Sequence, residues 1–205
     1  MDGVIFQHTN FWLELHKAFG TLEEGAELTK KYLKTDYLKL VKEVIGRLWK
    51  GKPTKTYLDL IKQQKYNPHV KEVIEELKKK GYSTCIISSG PYDLALRAKN
   101  ELGIDEVFAN KLLYNPDIIT GEYLENGNYC WEIADANKLP FLTKFCKANN
   151  IRLDEVIAIG DDYNDIPKFK AVGFSIAFNT TCKELREVAD IVVESNDLRE
   201  ILKYV

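Results

Sequence analysis

The sequence predicts an α/β protein in which helices cover a parallel sheet and a small helical module is inserted near the start. From about residue 66 onwards, short apolar strands alternate with amphipathic helices, which favours parallel strands joined by right-handed crossovers. Residues 11–65 show helical periodicity without strand signals. Polar residues follow several predicted strands, so a functional site is expected beyond the carboxyl edge of the sheet.

The composition is that of an ordinary globular protein and excludes several classes. The chain has 205 residues, of which 45% are hydrophobic and 29% charged, enough for a core domain with a small insert. Its formal net charge of −2 gives no global field that would attract nucleic acid or anionic membranes. No apolar run approaches the roughly 20 residues that span a bilayer, no secretory leader stands at the start, and four scattered cysteines match no zinc spacing. We expect a cytoplasmic monomer or homodimer without nucleic-acid or membrane partners.

The helical module is predicted from apolar spacing. Trp12, Leu15 and Phe19 recur at intervals of three and four residues, and the apolar positions between residues 37 and 48 repeat that spacing. Gly51-Lys52-Pro53-Thr54 breaks the run before a further helix. We therefore predict a helical cap at residues 11–65 and an α/β core formed by residues 1–10 and 66–205.

The core begins with a helix that Pro68 opens and Gly81 ends. The elements predicted after it are a strand at 82–87, a helix at 93–102, a strand at 107–113, a hairpin within 119–131, a helix at 137–149, and strands at 156–159, 174–178 and 191–193.

Polar clusters at the strand ends indicate a phosphate and metal site. Ser88-Ser89-Gly90 offers a hydroxyl and backbone N–H groups that can hold phosphate oxygens at a helix start. Asp2 and the carboxylates of 161–165 repel one another unless a hard cation such as Mg²⁺ neutralises them. Lys138 can supply a point charge for the same phosphate. Each cluster alone is better read as a cap or a surface group, but their joint order along the chain argues for one site.

That order resembles the haloacid dehalogenase superfamily and, within it, the phosphoserine phosphatase-like group. Met1-Asp2-Gly3-Val4-Ile5-Phe6 resembles the tail of the first motif, Asp-x-Asp-Gly-x-x. Ser88 matches the hydroxyl of the second motif, Lys138 the lysine of the third, and Gly160-Asp161-Asp162-Tyr163-Asn164-Asp165 the fourth motif. The resemblance implies a three-layer, Rossmann-like core with a helical cap inserted after the first motif.

The resemblance also implies an activity, which is Mg²⁺-dependent hydrolysis of a small phosphorylated metabolite through an aspartyl-phosphate. Asp2 would act as acid and base and bind the metal through its carbonyl group, while Ser88 and Lys138 would hold the phosphoryl group. Ser89, Gly90 and Asn164 would contact phosphate or substrate. Asp161 would bind Mg²⁺, and Asp165 would support the metal shell or orient Lys138.

One part of the pattern is not in the sequence. The nucleophilic Asp of the first motif would stand immediately before Met1, at the end of an apolar strand. We therefore expect the 205-residue chain itself to be inactive. The alternative is a non-catalytic, regulatory protein that binds phosphate and Mg²⁺ on the same fold.

A last expectation concerns the substrate. Phosphoserine-specific members of the group bind the substrate's amino group with a cap glutamate and its carboxylate with a cap arginine. Those places fall on Thr9 and near Leu60, which carry no charge. Because unpaired buried charge is costly, we expect that phosphoserine is not the preferred substrate.

Overall fold

The computed structural model describes residues 1–7, 10–133 and 138–205. Its α-helices are α1 (Phe11–Phe19), α2 (Leu22–Tyr32), α3 (Tyr37–Glu43), α4 (Thr54–Gln63), α5 (Val70–Lys79), α6 (Tyr92–Leu102), α7 (Leu139–Asn149), α8 (Ile166–Phe169) and α9 (Lys183–Val188). Its strands are β1 (Cys85–Pro91), β2 (Glu106–Asn110), β3 (Leu124–Glu125), β4 (Asn128–Tyr129), β5 (Ile157–Gly160), β6 (Phe174–Phe178) and β7 (Ile191–Val193). A π-helical turn (Val44–Trp49) continues α3, and short 3₁₀ helices cover Leu153–Glu155, Tyr163–Asp165 and Leu198–Lys203.

The predicted α/β class is confirmed by the strand pairing. β1 pairs with β2 in parallel, and β5, β6 and β7 form a second parallel sheet in that order. β3 and β4 form the predicted antiparallel hairpin. Asn126 and Gly127 close it with φ angles of 53° and 80°, which suits the right-handed twist of a two-residue hairpin turn.

Two predicted strand boundaries were wrong. The strand predicted at 82–87 runs instead over Cys85–Pro91, so Ser88-Ser89-Gly90 lies in the last part of β1 rather than after it. The register of β1 against β2 shifts between Ile87 and Pro91, an irregularity of the β-bulge kind. β2 ends at Asn110 rather than at residue 113, because the N–H of Lys111 turns away to the carbonyl oxygen of Cys130.

Two sheet edges face a common apolar cavity. In the described residues β1 pairs only with β2, and β5 pairs only with β6. A cavity of about 520 Å³ lies between them, lined by both strands and by side chains such as Ile74 and Leu142. We call this cavity the slot. The parallel strands that flank it are thus not hydrogen-bonded to each other.

The segment 11–65 is helical, as predicted, and packs tightly on the rest of the chain. Phe11 and Leu15 of α1 and Tyr57 of α4 are fully buried in one apolar cluster with residues of β1 and β6. Backbone hydrogen bonds from Gly51 to Ile119 and from Thr54 to Asp117 tie the segment to the core. Its division from the core as a separate domain stays a prediction. In the part of the chain that the structure describes, no helix is long and apolar enough to cross a bilayer.

Candidate active site

A second cavity of about 520 Å³ lies where the carboxyl ends of β1 and β5 meet the cap helices. It is lined by most of the predicted site residues, namely Asp2, Ser88, Ser89, Gly90, Lys138, Asp161 and Asn164. We call it the active-site cavity. Asp165, the remaining predicted residue, is described but lies behind this lining, fully buried. Residues far apart in the sequence therefore converge as the topology of a parallel sheet requires.

The end of β1 is held in a fixed shape beside the cavity. Ser88 is buried, and its hydroxyl oxygen accepts a hydrogen bond of 3.0 Å from the Gly90 N–H. The carbonyl oxygen of Ser89 accepts from Trp12 Nε1 at 2.8 Å and from Asn110 Nδ2 at 2.9 Å. A Cβ atom at position 90 would come within 2.6 Å of the Met1 side chain, so glycine keeps the cavity open there.

Lys138 is oriented by a buried ion-pair network. Its Nζ lies 2.7 Å from Asp165 Oδ1 and 2.6 Å from Asn164 Oδ1. Lys168 Nζ lies 2.9 Å from the same Asp165 oxygen. Burial alone would raise the pKa of Asp165, but Lys168 and Lys138 hold it well below its usual range. Asp165 is therefore a buried anion that positions both lysines.

The second oxygen of Asp165 accepts the backbone N–H of Asp161 at 3.1 Å. A Cβ atom at Gly160 would overlap the Asp165 carboxylate, so the residue between strand and turn has to be small. Of the two roles expected for Asp165, its contacts favour orienting Lys138. Direct metal contact by Asp165 stays a prediction without a supporting contact in the described residues.

Asp161 occupies the opposite electrostatic setting. Burial raises the pKa of Asp161 to about 6, opposed by the positive charge of the Met1 amino group. Its carbonyl oxygen accepts a hydrogen bond from the Thr180 hydroxyl. Gly3, with φ 71°, packs so closely on Asp161 that a Cβ atom there would overlap the carboxylate. A buried carboxylate of this kind is stabilised as an anion by a nearby cation.

The arrangement fits a hard cation. Asp2 lies in the same cavity as Asp161, and its Oδ2 accepts the N–H of Phe11 at the start of α1, 3.1 Å away. Burial lowers the pKa of the Met1 amino group, against the negative charges of Asp161, Asp2 and Asp165 around it. Among the described residues no group of three or more His, Cys, Asp or Glu could hold a metal by itself. An ion here needs backbone carbonyl and water ligands, which is the usual mode of Mg²⁺.

Three residues that support the site were not predicted from the sequence. Trp12 and Asn110 fix the Ser89 carbonyl group from 77 and 21 residues away, and such distant contacts leave no local pattern. Lys168 stands three residues after Asp165, a spacing on one helical face that a search for partners of the acidic motif could have used.

The comparisons with known proteins agree with this geometry. The sequence profile of haloacid dehalogenase-like hydrolases matches residues 6–170. The phosphoserine phosphatase of Methanocaldococcus jannaschii is 35% identical over 197 residues, covering 94% of this chain and 89% of that protein. The phosphoserine phosphatase of Campylobacter jejuni subsp. doylei is 32% identical over 194 residues, covering 93% and 90%. A solved structure described as a phospho-aspartyl intermediate analogue of phosphoserine phosphatase has a TM-score of 0.83 and 31% identity, covering 100% of this chain and 95% of that one.

Proposed function

Because this chain belongs to the haloacid dehalogenase-like hydrolase family and is a phosphatase of that family, we propose that it hydrolyses a small phosphomonoester with Mg²⁺ in the active-site cavity. The observation that carries the proposal is the convergence of Ser88, Lys138 and Asp161 on one cavity. A hydroxyl, a buried lysine and a carboxylate at one point suit phosphoryl transfer, whose catalysis rests on positioning and charge stabilisation.

The residues that line the site each have a role in this proposal. The Ser88 hydroxyl, whose oxygen accepts the Gly90 N–H, would donate to a phosphate oxygen at the end of β1. Lys138, fixed by Asp165 and Asn164, would stabilise the charge that develops on the transferring group, without reorganisation during the reaction. The fixed lysine explains why the fold buries a three-member ion-pair network beside the site.

Asp161 and the carbonyl group of Asp2 would hold the metal. Bound Mg²⁺ would neutralise phosphate charge and orient the ester for in-line attack. Asp2 is also suited to proton transfer, because its carboxylate is anchored at the start of α1 and lies in the cavity.

The reaction that the family resemblance implies proceeds in two steps. The Asp expected directly before Met1 would attack phosphorus, and the bond from phosphorus to the alcohol oxygen would break as Asp2 gives that oxygen its proton. Asp2 would then take a proton from the water that releases phosphate and restores the Asp. On this proposal the 205-residue sequence binds phosphate but turns over little ester.

A phosphate-release assay with Mg²⁺ tests the proposal, using the chain extended by an apolar strand that ends in Asp before Met1. The panel should include phosphoserine, because relatives of the chain are phosphoserine phosphatases. Lys138→Met should lower kcat by about 100-fold or more, whereas Lys147→Met, on the exposed side of α7, should leave it unchanged. Binding of phosphate and Mg²⁺ without turnover of any ester would favour the non-catalytic alternative.

A further inference from the structure

We propose that the alcohol released by this enzyme is neutral and largely apolar, such as an aromatic or branched aliphatic alcohol, rather than a charged amino acid. This inference rests on the proposed function, since it concerns what fills the active-site cavity beyond the phosphate. It follows from the chemistry of the side chains that the cap contributes to the lining of that cavity.

The wall opposite the phosphate end is aromatic and aliphatic. All of the chain's three tryptophans line the active-site cavity. The ring centroids of Trp12 and Trp131 lie 4.6 Å apart, and those of Trp12 and Trp49 lie 5.7 Å apart. Leu40, Val44 and Ile45 line the cavity beside them and are buried. An apolar group in this space would lose contact with water on several sides.

Two of the tryptophans use their polar groups elsewhere. The indole N–H of Trp12 donates to the Ser89 carbonyl oxygen. The indole N–H of Trp49 lies 3.3 Å from both His16 Nδ1 and Thr21 Oγ1. Because these donors are already engaged, the rings of Trp12 and Trp49 offer a ligand mainly apolar surface.

The charges around the cavity are segregated. The carboxylates among its described lining residues are Asp2, Asp161 and Asp162, all at the sheet end. On the cap side the charged side chain of the described lining is Lys30, which is exposed. The ammonium group of a phosphorylated amino acid would thus meet no carboxylate on the described cap side of the cavity, and an unpaired charge there is costly.

His16 does not supply a positive charge that could pair with the carboxylate of an amino-acid substrate. Its imidazole is buried and accepts the Trp49 N–H, and burial lowers the pKa of His16 below its ordinary value. Gly25 of α2 makes room for this ring, because a Cβ atom there would overlap it. The imidazole of His16 is therefore used inside the packing of the cap, and apart from Lys30 the described cap lining is uncharged.

Binding of non-hydrolysable phosphonates tests the inference on the 205-residue chain with Mg²⁺. Intrinsic tryptophan fluorescence reports occupancy, because every tryptophan lines the cavity. The probes are inorganic phosphate, benzylphosphonate as the isostere of phenyl phosphate, and the phosphonate isostere of phosphoserine. We expect benzylphosphonate to bind about tenfold more tightly than the phosphoserine isostere, from the burial of its ring.

A pair of matched variants locates the effect. Leu13 is 40% exposed and lines the cavity, whereas Leu38 is 45% exposed and is not part of that lining. Leu13→Gln should weaken the binding of benzylphosphonate about fivefold and that of inorganic phosphate little. Leu38→Gln should change neither affinity. Equal effects of the two variants would overturn the inference.

The outcomes separate the inference from the proposed function. If the phosphoserine isostere binds most tightly while inorganic phosphate also binds, the apolar leaving group is refuted and the phosphatase proposal survives. If neither phosphate nor any phosphonate binds in the presence of Mg²⁺, the proposed site itself is refuted, and the inference falls with it.

Discussion

Asp161 and Asp165 come from one turn of the chain and have opposite electrostatic surroundings. Burial raises the pKa of Asp161 to about 6, whereas Lys168 and Lys138 hold the pKa of Asp165 far below its usual range despite its burial. Neighbouring carboxylates whose pKa values are pushed apart usually have different tasks. Here Asp165 orients lysines inside the protein, and a bound cation would oppose the effect of burial on Asp161.

This difference predicts the effect of neutralising Asp161. Asp161→Asn should weaken Mg²⁺ binding by about tenfold or more, because the ion loses a charged ligand. The neighbouring Asp162 is exposed and caps the Tyr163 N–H, a role that asparagine also fills. Asp162→Asn is therefore the control and should leave the affinity nearly unchanged. Calorimetric titration measures both variants, and equal affinities would contradict the metal assignment.

His16 predicts a pH dependence of stability. Burial lowers the pKa of His16 in the folded protein, so below its ordinary value of about 6.5 the unfolded chain binds more protons than the folded one. The stabilising contribution of His16 is present above that value and is lost as the pH falls through the folded pKa. His16→Gln should flatten the change in free energy of unfolding between about pH 7.5 and about pH 5. Urea denaturation at several pH values checks this, and an unchanged slope would contradict it.

At the scale of elements, the end of β1 depends on α1. The carbonyl oxygen of Ser89 is held by the indole N–H of Trp12, which crosses from the cap segment to the sheet. Asn110, at the end of β2, holds the same oxygen and also bonds the backbone of Ile133. The end of β1, where we propose that phosphate binds, is thus fixed from both sides.

Trp12→Phe tests that connection by removing the N–H and keeping an aromatic ring. We expect inorganic phosphate to bind about fivefold more weakly, the cost of about 1 kcal/mol for one lost hydrogen bond. Trp131→Phe is the matched control, because the buried indole N–H of Trp131 has no acceptor among the described residues. Calorimetry with phosphate compares the two, and an equal loss for both would show that ring volume matters rather than the hydrogen bond.

The sequence predicted elements and motifs better than the contacts between them. The strand at 174–178 and the hairpin within 119–131 were predicted correctly because apolar runs and left-handed turn residues are local signals. The end of β1 was misplaced, because Ser88-Ser89-Gly90 looks like a turn, whereas pairing with β2 resumes only after it, at Pro91. That the tryptophans line the active-site cavity could not be predicted, since aromatic residues at helical spacing look like ordinary core packing.

At the scale of the whole molecule, the slot is a cavity of about 520 Å³ between the two parallel sheets. The edge strands β1 and β5 both line it, together with apolar side chains of α5 and α7. The strand that the family resemblance places before Asp2 would pair with both edges and bury apolar side chains in this space. On this proposal the slot would link stability to catalysis, because the same strand would bring the nucleophilic Asp to the active-site cavity.

The slot predicts that an added strand stabilises the protein. A version extended by an apolar strand before Met1 should unfold at a clearly higher denaturant concentration than the 205-residue chain, through new strand pairing and apolar burial. A version whose added segment has the same length but carries charged residues at alternate positions should unfold at the same denaturant concentration as the 205-residue chain. Urea unfolding compares the three, and identical midpoints would argue that nothing inserts between β1 and β5.

The most direct measurement is phosphate release with Mg²⁺ by the 205-residue chain and by the version whose added strand ends in Asp before Met1. We predict little or no turnover of para-nitrophenyl phosphate by the first and clear turnover by the second, lost again when the added Asp is replaced by Asn. Beryllium fluoride, which mimics the aspartyl-phosphate, should inhibit the active version. Robust turnover by the 205-residue chain, or silence from a folded and Mg²⁺-loaded extended version, would contradict the assignment of the nucleophile and of the site built around it.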